Sequence, residues 1–141
     1  MIFKIFTIGL IIAIDQASKF WVLDHLQGQE PIAFIPGVLE LIYTENTGIA
    51  FSMLNDKPEL LIIFNTLIIL VLIVWTVRTK GFNWGLCFII AGGIGNLLDR
   101  FIHGYVIDFI NPVFVKFAVF NLADVALNIG VFLLIWNSIK K

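Results

Sequence analysis

The chain has 141 residues, of which 60% are hydrophobic, 14% are aromatic and only 13% are charged. Soluble proteins carry about 25% charged residues, so this composition excludes a soluble globular domain and predicts an all-α integral membrane protein. The formal net charge is −1, and the scattered Lys and Arg residues form no basic stripe, which excludes a nucleic-acid-binding protein. Cys87 is the only cysteine, so the sequence contains neither a disulfide framework nor a cysteine-based metal site.

Four apolar segments are long enough to cross a bilayer as helices, and we expect them to form a single domain, 1–141. They cover residues 2–23, 60–77, 81–98 and 121–139. The second and third contain 18 residues each and no charge, which is typical of a transmembrane helix. The first begins as a signal peptide does, with Lys4 before an apolar run, but no small-residue cleavage site follows. We therefore expect it to be retained as a membrane anchor.

The positions of Lys and Arg predict that both termini are cytoplasmic. In this orientation the cytoplasmic side carries basic residues and no acidic one: Lys4, Arg78, Lys80, Lys140 and Lys141. Residues 24–59 and 99–120 then form two segments on the outer side of the membrane.

Each outer segment has its own expected structure. Residues Val38 to Thr44 partly alternate between apolar and polar and follow Pro36-Gly37, which predicts a small β-element with a turn before it, lying on the outer membrane face. Segment 99–120 is apolar for a loop, and we expect it to lie along the bilayer. Its apolar side chains are expected to touch lipid or substrate: Phe101, Tyr105, Val106, Phe109, Ile110, Val113, Phe114 and Val115.

Burying an ionisable side chain within a membrane costs free energy, so such residues suggest a functional role by default. Asp15 and Lys19 are four residues apart on the first helix, so they lie on one face and are able to form a structural ion pair. Asn96, Asp99 and Arg100 share a face at the outer end of the third helix, after small residues that allow close helix packing. Arg100 either orients a backbone carbonyl or compensates a neighbouring carboxylate, and the spacing does not decide between these roles.

Two further carboxylates have no basic residue within four positions. Asp108 follows the apolar Val106-Ile107, and Asp124 lies with Asn121 and Asn128 on a polar stripe of the fourth helix. If the two carboxylates meet in a low-dielectric site, they share a proton. One then acts as a base toward water and the other donates to a carbonyl oxygen, as in aspartic proteases. The alternative is two separate carboxylates, each hydrogen-bonded to a helix N-terminus.

Five sequence blocks together resemble the bacterial lipoprotein signal peptidases (signal peptidase II), and the resemblance spans nearly the whole chain. In order, the blocks are Asp15-Gln16-Ala17-Ser18-Lys19, Asn46-Thr47-Gly48-Ile49-Ala50-Phe51-Ser52, Gly95-Asn96-Leu97-Leu98-Asp99-Arg100, Val106-Ile107-Asp108-Phe109 and Phe120-Asn121-Leu122-Ala123-Asp124. One departure is Val125, which stands where many members have a serine. This change removes a hydrogen-bonding group but no catalytic group.

The resemblance implies an aspartic endopeptidase of the bacterial cytoplasmic (inner) membrane, multi-pass, with its active site facing the outer side. It implies removal of the signal peptide from diacylglyceryl-modified prolipoproteins by a cut before the lipidated cysteine, in contact with membrane lipid. It also implies inhibition by globomycin-type cyclic peptides, a β-cradle over the site, and no metal or other cofactor. The family's catalytic aspartates fall on Asp108 and Asp124. Its substrate-binding or supporting positions fall on Asn46, Gly48, Asn96, Arg100, Asn121 and Ala123, with Asp15 and Lys19 as structural residues.

Two interpretations from other functional classes remain. A small transporter or proton-relay subunit also uses membrane carboxylates, although here they cluster at one interface and no inverted repeat is apparent. A non-catalytic assembly protein would use the glycines and polar stripes only for helix association. Substitution of Asp108 by Asn separates the three: an assembly protein tolerates it, a proton path loses ion flux, and a peptidase loses cleavage.

Overall fold

The computed structural model describes residues 2–48, 57–79, 81 and 83–140 and contains four long helices and a three-stranded sheet. In chain order the elements are α1 (Ile2–Leu26), β1 (Ile32–Ile35), β2 (Leu39–Asn46), α2 (Pro58–Thr79), α3 (Trp84–His103), β3 (Val106–Pro112) and α4 (Leu122–Ile139). All four helices are long and apolar enough to cross a membrane, which confirms the four predicted spans. Residues Ile49 to Ser52 of the second sequence block, and the basic residues Lys80 and Lys141, lie outside the described residues.

The third helix ends later than predicted. It continues through Asp99 and Arg100 to His103, so the start of the predicted outer segment 99–120 is wrong. Both charged side chains are buried, and therefore their charges do not mark the end of the helix. The helix ends at Gly104, which adopts a left-handed conformation with φ of 83° and donates its N–H to the Arg100 carbonyl oxygen at 3.1 Å.

Helix α3 packs against each of the other three helices, whereas α2 packs against α3 alone among the helices described. Small residues make these contacts close, as predicted. A Cβ atom on Gly92 would collide with the carbonyl oxygen of Ala123 in α4, and one on Gly95 would lie 2.6 Å from the Asp15 carboxylate in α1. Without side chains at these positions the backbones approach closely, which brings polar groups of α1, α3 and α4 together.

The sheet is larger than the β-element predicted for Val38 to Thr44. Strand β2 is confirmed as its centre, but β1 and β3 pair antiparallel with it on either side. Gly37, with φ of 74°, lies in the turn between β1 and β2, as the Pro36-Gly37 pair predicted. Between Leu41 and Thr44, β2 has one more residue than β3, and this bulge lies directly beside Asp108.

Strand β3 changes the expected environment of segment 99–120. Phe109 is only 6% exposed and packs in a cluster with Val22 and Leu26 of α1, so the expectation that it touches lipid is wrong. The reason is that β3 pairs with β2 and lies against the end of α1. Val106 is also buried, whereas four of the other residues expected to touch lipid or substrate are exposed: Phe101, Val113, Phe114 and Val115.

The sheet covers one end of the helix bundle. Strands β2 and β3 contact α1, and β3 also contacts α3. The backbone of Ile110 both donates to and accepts from Phe120, at 2.8 and 3.1 Å. This pairing brings the chain back from β3 to the beginning of α4. The end of α3, the middle of β3 and the first turn of α4 therefore meet at one place.

Candidate active site

A buried ion network joins three helices beneath the sheet. Lys19, which is 1% exposed, lies 2.9 Å from both Asp15 and Asp99. This confirms the predicted pairing of Asp15 with Lys19 and adds Asp99 as a second carboxylate. Each carboxylate also accepts a backbone N–H, Asp15 from Ala123 at 2.9 Å and Asp99 from Ile107 at 3.0 Å. The network therefore fixes the beginning of α4 and strand β3 against α1 and α3.

Gln16 is a further member of this network to which the sequence analysis assigned no role. Its side-chain amide donates to the Asp99 carboxylate at 2.9 Å and to the Gly95 carbonyl oxygen at 3.2 Å. A polar side chain beside Asp15 in a membrane span is the only sequence signal for this contact. Gln16 supports the structure rather than lining the cavity described below.

Asn96 connects the ion network to Asp124. The Lys19 ammonium group has donors only, so the Asn96 oxygen, at 3.1 Å, must face it. The Asn96 amide nitrogen then points in the opposite direction and donates to Asp124 Oδ1 at 2.8 Å. Lys19 thus determines the orientation of a hydrogen-bond donor to Asp124 without contacting that carboxylate.

Asn121 contacts both of the candidate catalytic carboxylates. Its side-chain oxygen accepts the backbone N–H of Asp124 at 3.0 Å, and the Asp124 carboxylate accepts the backbone N–H of Asn121 at 3.1 Å, which forms a capping box at the start of α4. The Asn121 amide nitrogen then donates to Asp108 Oδ1 at 2.7 Å. The alternative interpretation expected each carboxylate to be hydrogen-bonded to a helix N-terminus. Asp124 does make such hydrogen bonds, but it is still linked to Asp108 through Asn121.

The register of the sheet places Asn46 beside Asp108. Asn46 pairs with Val106 and Thr44 pairs with Asp108, so Asn46 and Asp108 are diagonal neighbours on one face. The Asn46 oxygen accepts the backbone N–H of Gly48 at 3.1 Å, and its amide nitrogen donates to Asp108 Oδ2 at 2.9 Å. Both oxygens of Asp108 are thus held by neutral amide donors.

Burial, together with the negative charge of Asp124, raises the pKa of Asp108, and the hydrogen bonds from Asn46 and Asn121 lower it, so that the pKa is about 6. The side chain is only 3% exposed, and no cation pairs with it among the described residues. Asp108 therefore exchanges its proton close to neutral pH, which is the property that acid–base catalysis requires.

Arg100 orients a backbone carbonyl, which is one of the two roles that the sequence left open. The guanidinium group, 8% exposed, donates from Nη2 to the Gly48 carbonyl oxygen at 3.0 Å. In the described part of the chain no carboxylate lies within ion-pair distance of it. Asn46, Gly48 and Arg100 together hold the end of β2 over the two aspartates.

A cavity of about 370 Å³ opens beside the two carboxylates. Its polar side contains Asp108, Asp124 and four of the predicted supporting residues, Asn46, Gly48, Asn96 and Arg100. Asn121 and Ala123 support this site from behind, through the contacts described above. The remaining wall is mainly apolar and comes from three helices and β3: Ile68, Ile69, Leu72, Ile89, Gly93, Val106 and Leu127, together with Asn65.

Asn65 is the polar residue of the cavity that was not predicted from the sequence. The available signal was a lone amide within the uncharged span 60–77.

As for metals, no group of three or more His, Cys, Asp or Glu side chains within residues 2–48, 57–79, 81 and 83–140 is arranged to hold an ion.

Comparisons with known proteins match almost the whole chain to one family. The family model for signal peptidase (SPase) II matches residues 7–140. The lipoprotein signal peptidase of Streptococcus pyogenes serotype M5 (strain Manfredo) is 42% identical over 138 residues, which cover 94% of this chain and 91% of the relative. The lipoprotein signal peptidase of S. pyogenes serotype M3 (strain ATCC BAA-595 / MGAS315) is 41% identical with the same coverage.

Two solved structures share the fold. One, described as a bacterial membrane enzyme solved by the in meso method at 1.9 Å resolution, has a TM-score of 0.90 and 26% identity and covers 100% of this chain and 95% of that chain. A second, solved by the same method at 2.3 Å, has a TM-score of 0.88 and 27% identity, with 99% and 89% coverage. Since the family model and the curated relatives each cover almost the whole chain, the chain belongs to the signal peptidase II family of lipoprotein signal peptidases.

Proposed function

We propose that this member of the family is an aspartic endopeptidase in which Asp108 and Asp124 act as a catalytic pair. The family removes signal peptides from prolipoproteins, and the chain is a multi-pass bacterial membrane protein. The observation that carries the proposal is the position of Asn121. It contacts both carboxylates, which line one cavity, and no cation from the described residues lies between them.

The reaction needs one ionised and one protonated carboxyl group. The ionised group takes a proton from a water molecule while the water oxygen attacks the carbonyl carbon of the scissile peptide bond. The protonated group donates to the carbonyl oxygen. When the tetrahedral intermediate collapses, the C–N bond breaks and the leaving amine receives the proton that the first group took from water. Asp108 is the carboxyl group that we expect to hold the proton in the free enzyme, because burial raises its pKa to about 6.

The supporting residues act by orienting the aspartates. Each of the four carboxylate oxygens accepts one hydrogen bond, from Asn46 and Asn121 at Asp108 and from Asn96 and the Asn121 backbone at Asp124. These donors are fixed by Lys19 and by backbone N–H groups, so the carboxylates are held before substrate binds. Arg100 keeps Gly48 at the edge of the cavity, where we expect it to contact substrate.

The substrate that we propose is a diacylglyceryl-modified prolipoprotein, cut before its lipidated cysteine. Acyl chains hold such a cysteine at the membrane interface, with about 0.8 kcal/mol of stabilisation per buried CH₂ group. The two aspartates lie at the sheet-covered end of the bundle, at a depth that suits this position. We place this end on the outer side, with cytoplasmic termini, and expect inhibition by globomycin-type cyclic peptides.

The test is cleavage of a diacylglyceryl prolipoprotein by the purified protein in detergent. Asp108→Asn and Asp124→Asn are each expected to lower kcat by at least about 10²-fold, since each removes a proton-transfer group. The matched control is Asp24→Asn, at an exposed carboxylate of α1, which should leave the rate unchanged. Near-normal cleavage by either cavity variant, or an inactive wild type, would refute the catalytic assignment.

A further inference from the structure

Asn65 differs from the other polar side chains described between Leu60 and Val77 in α2. The hydroxyl of Thr66 donates to the Ile62 carbonyl oxygen at 2.7 Å, and that of Thr76 donates to the Ile73 carbonyl oxygen at 2.6 Å. Each threonine is thus satisfied within its own helix. Asn65 has no hydrogen-bond partner among the described residues, although it is half-buried in the wall of the cavity. Its side-chain amide is therefore available to pair with a polar group of a ligand bound in the cavity.

The packing of α2 on α3 gives the depth of Asn65. Gly93 of α3 lies against Ile69 of α2, since a Cβ on Gly93 would be 3.3 Å from the Ile69 side chain. The two helices are consecutive and antiparallel. The residue one helical turn before Ile69 in α2 therefore lies opposite the residue one turn after Gly93 in α3. These positions are Asn65 and Asn96. Asn65 therefore lies at the depth of the hydrogen bond between Asn96 and Asp124.

Helices α2 and α4 do not pack against each other among the described residues, and α3 lies between them. The cavity is thus a groove with α3 as its floor. Asp124 and Leu127 lie on its α4 side, and Asn65, Ile68 and Leu72 lie on its α2 side. Among the described side chains of α2, Asn65 is the only polar one in this lining. A ligand that fills the groove from Asp124 to its α2 side would contact Asn65.

We propose that Asn65 is a substrate-binding residue that pairs with a backbone peptide group of the signal peptide, next to the scissile bond. This inference rests on the proposed function. A peptide bond that is attacked by water has to leave helical geometry, which frees backbone N–H and C=O groups in an otherwise apolar groove. A side-chain amide offers one donor group and one acceptor to such a peptide unit, without adding charge beside the two aspartates.

The first test compares Asn65→Leu with Thr66→Val, a neighbouring change at a residue outside the cavity lining. Asn65→Leu should lower kcat/KM about tenfold, the effect of one lost hydrogen bond in an apolar site, with an unchanged or higher melting temperature. Thr66→Val should stay within about twofold of wild type. The proposal is overturned if Asn65→Leu also stays within twofold, or if its loss of activity comes with a lower melting temperature.

A second measurement keeps this proposal separate from the catalytic one. In the Asp124→Asn variant, binding affinity is measured for two prolipoprotein peptides. One is unmodified, and in the other an ester replaces the peptide bond that precedes the scissile bond. In the Asp124→Asn variant, the ester peptide should bind more weakly than the amide peptide. In the double variant with Asn65→Leu added, the two peptides should bind with equal affinity. An equal loss in both backgrounds overturns the role of Asn65. Failure of the catalytic assignment appears instead as cleavage by Asp124→Asn alone.

Discussion

Two pairs of buried carboxylates lie within one small region of this protein, and their partners differ. Asp15 and Asp99 both contact the Lys19 ammonium group at 2.9 Å. Within the described part of the chain, Asp108 and Asp124 contact only neutral donors, namely side-chain amides and one backbone N–H. The first pair has a cation between its members, and the second pair has an amide.

This difference separates structural support from chemistry. The carboxylates paired with the buried cation anchor secondary-structure elements: Asp15 accepts a backbone N–H from α4, and Asp99 accepts one from β3. Asp108, which is held by neutral donors, has a pKa raised to about 6, so it exchanges a proton near neutral pH. Asn96 joins the two regions, because it contacts both Lys19 and Asp124.

The largest expected effect follows from removing the cation of the first region. Lys19→Met leaves Asp15 and Asp99 as unpaired buried charges, so the variant should lose about 3–5 kcal/mol of stability. Thermal unfolding in detergent measures this loss. Activity should fall with it, because Asn96 loses the contact that orients its amide toward Asp124.

Lys116→Met serves as the control for Lys19→Met, because this lysine is exposed and lies outside both regions. It should change stability by less than about 0.5 kcal/mol. A Lys19→Met protein with the wild-type melting temperature would show that the buried ion network does not hold the helices together.

A smaller effect is expected from adding one methyl group beside the same network. In Gly95→Ala the new Cβ would lie 2.6 Å from the Asp15 carboxylate and 3.2 Å from the Ala123 side chain, so α1 or α4 has to shift. The expected cost is about 1–3 kcal/mol, measured by thermal unfolding. Gly9→Ala is the matched control, since nothing lies within 4 Å of its Cβ, and it should be neutral or slightly stabilising. Equal melting temperatures for the two variants would contradict the close packing.

The smallest effect sharpens the description of the second region. Because the pKa of Asp108 is raised to about 6, its proton is present below that pH and is lost above it. The value of kcat/KM should therefore fall by up to about tenfold per pH unit above pH 6. Asn46→Ala removes a hydrogen bond that favours the ionised form, so the decline should begin at higher pH. A rate that stays flat to pH 10 in wild type argues against the shared proton, and a decline that moves to lower pH in Asn46→Ala argues against the role of Asn46.

Much of the site could be predicted because its residues are chemically unusual where they occur. The pairing of Asp15 with Lys19 followed from helical spacing, and Asp108 and Asp124 were conspicuous as carboxylates without basic neighbours. Family membership then selects the peptidase interpretation over the transporter and assembly interpretations. Asn65 was missed because a single amide in an apolar helix forms no sequence pattern. Only its position in the cavity lining indicates a role in binding.

By itself the sequence determined the four membrane helices, the central strand and the residues available for chemistry, because hydropathy, helical spacing and turn residues act locally. Only the tertiary structure decided which carboxylate has which partner. Asp99 and Asp108 are nine residues apart, yet they have different partners. Asp99 in α3 pairs with Lys19, whereas Asp108 in β3 accepts a hydrogen bond from Asn121 at the start of α4. That choice depends on Gly92 and Gly95 letting α1 and α4 approach α3, and on the pairing of β3 with β2. Such long-range contacts form between elements and leave no local signal in the chain.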